Sequence, residues 1–593
     1  MKTDTLSFSS LLQPNIRLLV PLFQRPYVWN QEDQWEPLWE DIRNIAEDLF
    51  HERFRRPHFL GAIVLEQVAT KTGEIQKRLV IDGQQRLTTA QIVLEAFHDL
   101  CNEIGADNPK KALAKMTRND DPMADSTDEI FKLWPTTVDQ EAYRVVMECQ
   151  TPGEVRDHLT ATPHLADRPI ICGYLYFSDA IREWIGHGTT GAEPRIKSLI
   201  HALRDHLRFV VIDLEDEDDA QLIFETLNAR GTPLLPTDLV KNFVFHRARV
   251  EKKELQPLYD KYWAPFDEWD DWWRKQIGRG HAQRARIDLF LQAFLTMQTR
   301  EEVPVTHVYY VCRDHIIKSK KSAEGFLREL SGAAKVFGSF AEFENGTPEE
   351  RFFRAIEVLD VTSVMPVALE LFSRFGDQPK ILRPVLTDIE SFLIRRMICG
   401  LNTRGYNRLF LDLLGQIKSA DTLRDRVTKF LLKSNADSHR WPSDAEFKTA
   451  WVSEPIYRTI VRKRVRFLLE TLEISLKHSK TEQIVSKLHI EHLLPQSWKQ
   501  HWPIPGFTTT DDQAAERDRA LHGIGNLTLV TQSLNPALSN GPWTKKRKEI
   551  LKYSALNLNR TLDGESDWDE SRIEARAREL FKTARKAWPH PTA

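Results

Sequence analysis

Cysteine is scarce in this chain and scattered. The five in 593 residues stand at 101, 149, 172, 312 and 399, with no C-x-x-C pair. That spacing excludes a disulfide framework and a cysteine zinc site, and reads as small buried hydrophobes. Long apolar runs are missing too. Nothing approaches the roughly 18 apolar residues of a membrane span, and residues 1–20 lack the apolar stretch of a secretory signal. A cytoplasmic protein with no membrane partner is expected. Charge of one sign is not in excess: 82 basic residues against 85 acidic ones leave a net −3. A chain that coats nucleic acid by bulk charge is therefore excluded, whereas a local basic groove is not. No G-x-x-x-x-G-K-[ST] phosphate loop occurs anywhere.

What is present is length, enough for two to four domains at about 150 residues each. The pattern is α+β and multidomain. Apolar, β-branched runs at 59–68 (FLGAIVLEQV), 78–82 (RLVID) and 209–214 (FVVIDL) have strand length, and 87–100 carries helical periodicity. Residues 102–128 are polar and turn-rich, as in a surface insertion or linker. From about 220 to 433 the pattern is mostly helical, and the polar stretch 434–446 predicts a boundary. Beyond it, 456–472 predicts one long amphipathic helix, followed by a motif-dense segment. The division expected is 1–250 with an insertion at 102–200, a helical 251–433, and 447–593 with its core at 488–554. Trp263, Trp269, Trp272 and Trp273 read as helix packing or a domain interface, and the acidic run 215–219 as a solvated turn.

The C-terminal segment holds the strongest constellation. His489-Ile490-Glu491-His492-Leu493-Leu494-Pro495-Gln496-Ser497 reads as a strand ended by proline. Gly525-Asn526-Leu527-Thr528-Leu529-Val530 reads as a second strand, and Asn540-Gly541-Pro542 as the cap of a helix over 543–553. Two strands and a helix thus carry an acid, a histidine and several asparagines towards one point. Phosphodiester hydrolysis with one metal uses such a set: a neutral imidazole activates water, and a carboxylate with an amide oxygen holds a hard divalent cation. Zinc is not the metal expected, because the segment has no cysteine and no i, i+4 histidine pair.

At the other end, Asp82-Gly83-Gln84-Gln85-Arg86-Leu87-Thr88-Thr89 sits at a strand-to-helix junction. A glycine turn at a helix N-terminus frees backbone N–H groups for phosphate, and Arg86 adds a cationic fork. Gln84 and Gln85 are of the type that bonds a base, a ribose or a coordinated water. Two further strings belong with it: Pro21-Leu22-Phe23-Gln24-Arg25-Pro26-Tyr27-Val28-Trp29, and 224–234 (FETLNARGTPL) with Asp238-Leu239-Val240-Lys241-Asn242.

These strings resemble the GmrSD-type (type IV, modification-dependent) restriction proteins. The N-terminal set is similar to their ParB/sulfiredoxin-like α/β domain, and the C-terminal set to the HNH (ββα-metal) nuclease superfamily. The SspE group of phosphorothioate-sensing defence proteins carries the same D-G-Q-Q-R box. The resemblance implies an HNH endonuclease that also binds and hydrolyses a nucleoside triphosphate. His492 is then the general base and Glu491 a ligand of Mg2+ or Mn2+. Asn535, with Asn540 as contender, supplies the later metal ligand, while Asn526 belongs to the catalytic set more as a brace of the loop presenting His492. The nucleotide set is Asp82, Gly83, Gln84, Gln85, Arg86 and Thr88, with Arg25, Asn228 and Arg230 as neighbours. Beside such a centre, Lys545, Lys546, Arg462 and Arg464 become DNA-phosphate contacts. The partners implied are modified or phage DNA and an NTP, and a homodimer is compatible. A nucleotide-gated regulatory protein with secondary nuclease activity, and a toxin nuclease acting on host DNA or RNA, stay open as alternatives.

Overall fold

The computed structural model describes residues 2–591 apart from 13, 54–56, 69, 71–73, 121–126, 187–191, 216–234, 268–271, 278–282, 434–438, 477–487, 501, 503–510 and 532–540. The chain divides into two compact units, residues 1–289 with 305–329, and residues 290–304 with 330–593. The architecture is α+β. Among the described residues no helix is long and apolar enough to cross a membrane.

The first unit is built on a mixed six-stranded sheet. Its strands are β1 (Lys2–Ser7), β2 (Ile16–Leu19), β3 (His58–Gln67), β4 (Gln76–Asp82), β5 (Leu133–Trp134) and β6 (Leu207–Leu214), in the order β1-β6-β3-β4-β2-β5. β3 runs parallel to β6 and antiparallel to β4. Successive residues on a strand point to opposite faces, so the fully buried Ile63, Val64 and Leu65 show that both faces of the sheet are covered. Ile63, Leu65, Val80 and Val211 join the large core that includes Ile92, Val93 and Phe97 of α1 (Gln84–Glu103). Val64, Ile81 and Leu214 form a second cluster against Leu239 of α3 (Pro236–Val250). A sheet enclosed in this way needs the continuous Val/Ile/Leu runs seen in β3, β4 and β6.

The polar stretch 102–128 is not a mere insertion. It contains α2 (Asp107–Thr117), whose Leu113 and Met116 enter the same core. Lysine and asparagine on the outer face of α2 hid an apolar stripe only one residue wide per turn. Trp263 is fully buried and packs edge-on against Phe245 and Phe266, in keeping with a packing role.

The second unit gathers one apolar core from Phe352 to Trp588 around α4 (Pro379–Ile398). Arg395 and Arg396 of α4 are fully buried. Arg395 donates to the carbonyls of Trp588 and Pro442 and to Asp444, at 2.8, 3.2 and 2.7 Å. Arg396 donates to Tyr406 Oη and to the carbonyls of Arg440 and Asn402. These contacts tie residues on both sides of 434–446 together, and Trp441, Phe447 and Trp451 lie in the shared core. The described part of that stretch, residues 439–446, therefore packs with α4.

The helix expected over 456–472 is also interrupted. A single turn, Ile456–Thr459, gives way at Ile460, which is extended (φ −117°, ψ 140°), before α5 (Arg462–Leu476) begins. Thr459, Ile460 and Val461 are consecutive β-branched residues, a run that favours the extended state. Towards the C-terminus follow the antiparallel pair β7 (Leu488–His492) and β8 (Leu527–Thr531), then α6 (Trp543–Tyr553) and α7 (Glu570–Ala587).

Candidate functional site

In the second unit, His492 is the last residue of β7 and faces Leu527 across the pair, while Glu491 faces Thr528. Asn526 holds the backbone just beyond β7. Its Oδ1 accepts from Leu494 N at 2.7 Å and from Trp568 Nε1 at 3.0 Å. Its Nδ2 donates to the carbonyls of Leu494 and Leu521, both at 2.9 Å. Asn526 is wholly buried and its amide is fully engaged, so its geometry is that of a brace. The glycine before it is dictated by space: a Cβ on Gly525 would stand 2.0 Å from the carbonyl oxygen of Ile573 in α7.

α6 opens at Trp543 with Pro542 in the capping position and no side-chain cap; Asn540, expected as the cap, lies outside the described residues, as does Asn535. Trp543, Lys546 and Ile550 form the buried face of α6. Lys546 is therefore not on the surface where a phosphate contact was expected. Its Nζ lies 2.5 Å from Glu491 Oε1 and 2.5 Å from the carbonyl oxygen of His492. Burial pushes the Glu491 carboxyl up and the Lys546 ammonium down, and their mutual attraction opposes both shifts. Lys545 is exposed on the same helix.

His492 is 5% exposed. Its Nδ1 meets the Gln496 side-chain amide at 3.4 Å, and its Nε2 is buried without a partner. With the Gln496 NH2 as donor, Nδ1 is the acceptor nitrogen and the proton resides on Nε2. Burial, helped by the charges of His522, Lys546 and Arg462, lowers its pKa to about 3, so the ring is neutral at ordinary pH. Tyr457 sets its ring edge-on to His492 at 4.3 Å and parallel to His522 at 5.8 Å; the two imidazoles are perpendicular at 5.5 Å. Tyr457 N donates to the His522 carbonyl at 2.9 Å, which fixes this trio. A cleft of about 480 Å3 opens beside it, walled by Arg458, Gln496, Lys499, Asp518 and His522.

Two of the basic residues expected to contact DNA have other partners. Arg462 stacks its guanidinium on the Tyr457 ring at 3.4 Å and donates to the Tyr457 carbonyl. Arg464 donates to the carbonyls of Val358 and Leu359, at 3.2 and 2.7 Å, where the helix Pro348–Leu359 ends.

In the first unit, Gly83 makes the turn from β4 into α1 with φ +91°, and a Cβ there would come within 2.5 Å of Ile63 Cγ2. Asp82 ends β4, and Gln84, Gln85, Arg86 and Thr88 lie in the first turns of α1, where the two glutamines meet the segment bearing Arg25. Gln84 Nε2 donates to the Arg25 carbonyl at 2.7 Å, and Gln85 Nε2 to the Pro26 carbonyl at 3.0 Å. Gln85 Oε1 accepts from Val28 N at 2.9 Å. Both amides thus hold the 24–29 segment rather than project outward. Arg86 donates to the Ala62 carbonyl at 3.0 Å. A relay from Trp35 Nε1 to Tyr27 Oη, to Thr89 Oγ1, to the Gln85 carbonyl tightens the junction. Asn228 and Arg230 lie outside the described residues.

The Asp238-Leu239-Val240-Lys241-Asn242 string completes this region, together with Asp267, Tyr259 and Arg274, which the sequence did not single out. Lys241 donates to the Gln24 carbonyl at 3.3 Å and pairs with Asp267, which also accepts from Tyr259 and Arg274. One turn apart on α3, Asp238 and Asn242 are each 2% exposed; both polar atoms of the Asn242 amide are buried without a hydrogen bond, and Asp238 Oδ1 has only the Arg274 guanidinium, 4.0 Å away. Burial raises the Asp238 carboxyl, with the charges of Arg274, Lys241 and Arg25 opposing. The D-L-V-K-N string carried this signal in the sequence. For His522, the signal was its place three residues ahead of Gly525-Asn526.

The model of the GmrSD restriction endonuclease N-terminal domain matches residues 8–245, and that of the GmrSD C-terminal domain matches residues 441–583. The chain belongs to the GmrSD restriction endonuclease family. Both halves of the GmrSD arrangement are therefore carried by one polypeptide, and each falls on one of the two sites described above. Comparison with curated proteins found no match. Membership in the GmrSD family makes the chain a restriction endonuclease, with DNA as the molecule it acts on.

Proposed function

We propose that the chain is an NTP-regulated, modification-dependent DNA endonuclease of anti-phage defence, cutting at an HNH centre built by β7, β8 and α6. The observation that carries this reading is the Glu491–His492 pair at one strand end, with the imidazole neutral and its Nδ1 turned to a residue of the cleft wall. His492 accepts a proton from water through Nδ1, and the Asn526 brace fixes the backbone just beyond it. Glu491 is a hard carboxylate donor of the kind Mg2+ or Mn2+ selects, and Lys546 holds it at 2.5 Å, so an ion bound there would take the place of that ammonium. Glu491 would hold the ion, together with Asn535 or Asn540. When bound, the ion supplies charge neutralisation at the phosphate and its leaving oxygen.

Nucleotide binding in the first unit is supported by the helix N-terminus behind Gly83, by Arg86, and by the buried Asn242 amide and Asp238 Oδ1, which make no hydrogen bond. Each orphaned polar group of this kind costs about 1–3 kcal/mol unless a ligand or water satisfies it. Sensing of modified DNA rests on the family.

The test is direct. Purified protein with Mn2+, with and without NTP, is given plain, glucosylated hydroxymethylcytosine and phosphorothioate DNA. Cleavage by wild type and its loss in His492→Ala is expected; equal cleavage by both would remove the centre. Phosphate release that persists unchanged in Arg86→Ala would remove the nucleotide site.

A further inference from the structure

We infer that the cleft beside His492 seats the DNA phosphodiester to be cut, gripped by Arg458, Lys499 and His522. The inference rests on reading His492 as the base and goes beyond it by naming where the substrate lies.

The cleft reaches His492 through one shared residue. Gln496 is one of its walls, and the amide of that same residue is the partner of His492 Nδ1. At 3.4 Å this contact is long for a hydrogen bond, so an incoming water can take its place at little cost. The cleft has the right charge. Arg458 and Lys499 bring two cations to its wall against one carboxylate, Asp518, which already accepts from Trp498 Nε1 at 3.1 Å. A diester phosphate carries one negative charge and matches that balance, whereas a free metal ion does not.

His522 supplies the feature of a prepared site. It is 4% exposed, lines the cleft, and has its Nδ1 buried with no partner. Tyr457 holds it on two sides, by ring stacking and by the hydrogen bond to its carbonyl, so its orientation is fixed before any ligand arrives. A held imidazole on the cleft wall, one ring away from the base, suits a non-bridging phosphate oxygen.

The test uses the full chain. Binding of a fluorescent 20-base-pair duplex is measured in EDTA, where no cutting occurs, across a potassium chloride series. For the double variant Arg458→Ala/Lys499→Ala, binding roughly ten-fold weaker or more is expected, with the slope of log Kd against log salt reduced by about 1–2. Both side chains are exposed, so the variant keeps the fold. His522→Ala should cleave about 100-fold more slowly, the cost of one phosphate-directed donor, with Mn2+ affinity by calorimetry unchanged. His522→Gln, which restores a donor, should recover part of the rate. His492→Ala should abolish cutting while leaving duplex affinity and slope intact. Unchanged affinity and slope in the Arg458/Lys499 variant overturn the cleft as the phosphate seat, even if His492→Ala is dead. Cutting by His492→Ala at the wild-type rate would instead overturn the underlying centre.

Discussion

Lys546 Nζ and Glu491 Oε1 lie 2.5 Å apart, with the lysine side chain fully buried and the glutamate side chain 14% exposed. The same ammonium reaches the His492 carbonyl, so one side chain of α6 secures both the acid and the strand end that carries the base. Removing either partner of a buried pair strands the other charge, which is costlier than losing the attraction alone.

Lys546→Met should therefore destabilise the second unit by about 3 kcal/mol, read from urea unfolding. The double variant Lys546→Met/Glu491→Gln should recover at least about 1 kcal/mol of that loss, because no charge is then left stranded. Strict additivity of the two single changes would show that the pair does not interact in solution.

Asn526 gives a second prediction. Its amide satisfies four buried groups, two of them on Leu494, two residues beyond His492. Asn526→Ala leaves these unpaired and should cost about 3 kcal/mol or more. Mn2+ affinity of the fraction that stays folded should match wild type, since the amide has no donor or acceptor to spare for an ion. A selective loss of Mn2+ binding in a fully stable variant would instead make Asn526 a ligand.

The β7–β8–α6 unit was legible because its signals are local. Alternation marks the strands, Pro495 ends the first, and Pro542 opens the helix. The burial of Lys546 was hidden by its setting in Lys545-Lys546-Arg547-Lys548, which reads as a solvated face. Only the helical phase set by Trp543 and Ile550 turns Lys546 inward. The role of Gln84 and Gln85 was hidden differently, because their partners Arg25, Pro26 and Val28 lie about 60 positions away and meet them only after β4 is placed. The packing of residues 439–446 was hidden for a third reason. Composition there is polar, yet Trp441 and Phe447 complete a core shared with α4, and composition carries no information about which side chains meet across the chain.

Gln85 permits a test of the first unit. Its two bonds to the 24–29 segment predict that Gln85→Leu frees Val28 N and the Pro26 carbonyl. Hydrogen exchange at the Val28 amide should accelerate by about ten-fold or more, with stability lowered by about 2 kcal/mol. Affinity for a non-hydrolysable NTP should fall with it if the segment bearing Arg25 forms part of that site. Unaltered exchange at Val28 would mean that Gln85 does not hold the loop.

Acid should weaken the fold through His492. Burial, ahead of the nearby His522, Lys546 and Arg462, holds its pKa at about 3, against an ordinary value of 6.5. Between those two values the unfolded chain binds a proton at this position and the native chain does not. Protons therefore favour the unfolded state, and stability falls as the pH drops from 6.5 towards 3. Above about pH 7.5 the ring is neutral in both states, and this group leaves stability independent of pH. The slope from this one residue approaches about 1.4 kcal/mol per pH unit within the window. Subtracting the unfolding free energies of His492→Gln from those of wild type isolates the contribution, since all other titrating groups are common to both. The difference should be flat above pH 7.5 and should turn against wild type as the pH falls to 4. A difference that stays flat down to pH 4 would mean that His492 titrates as it does in water, and that its ring is not enclosed as the structure has it.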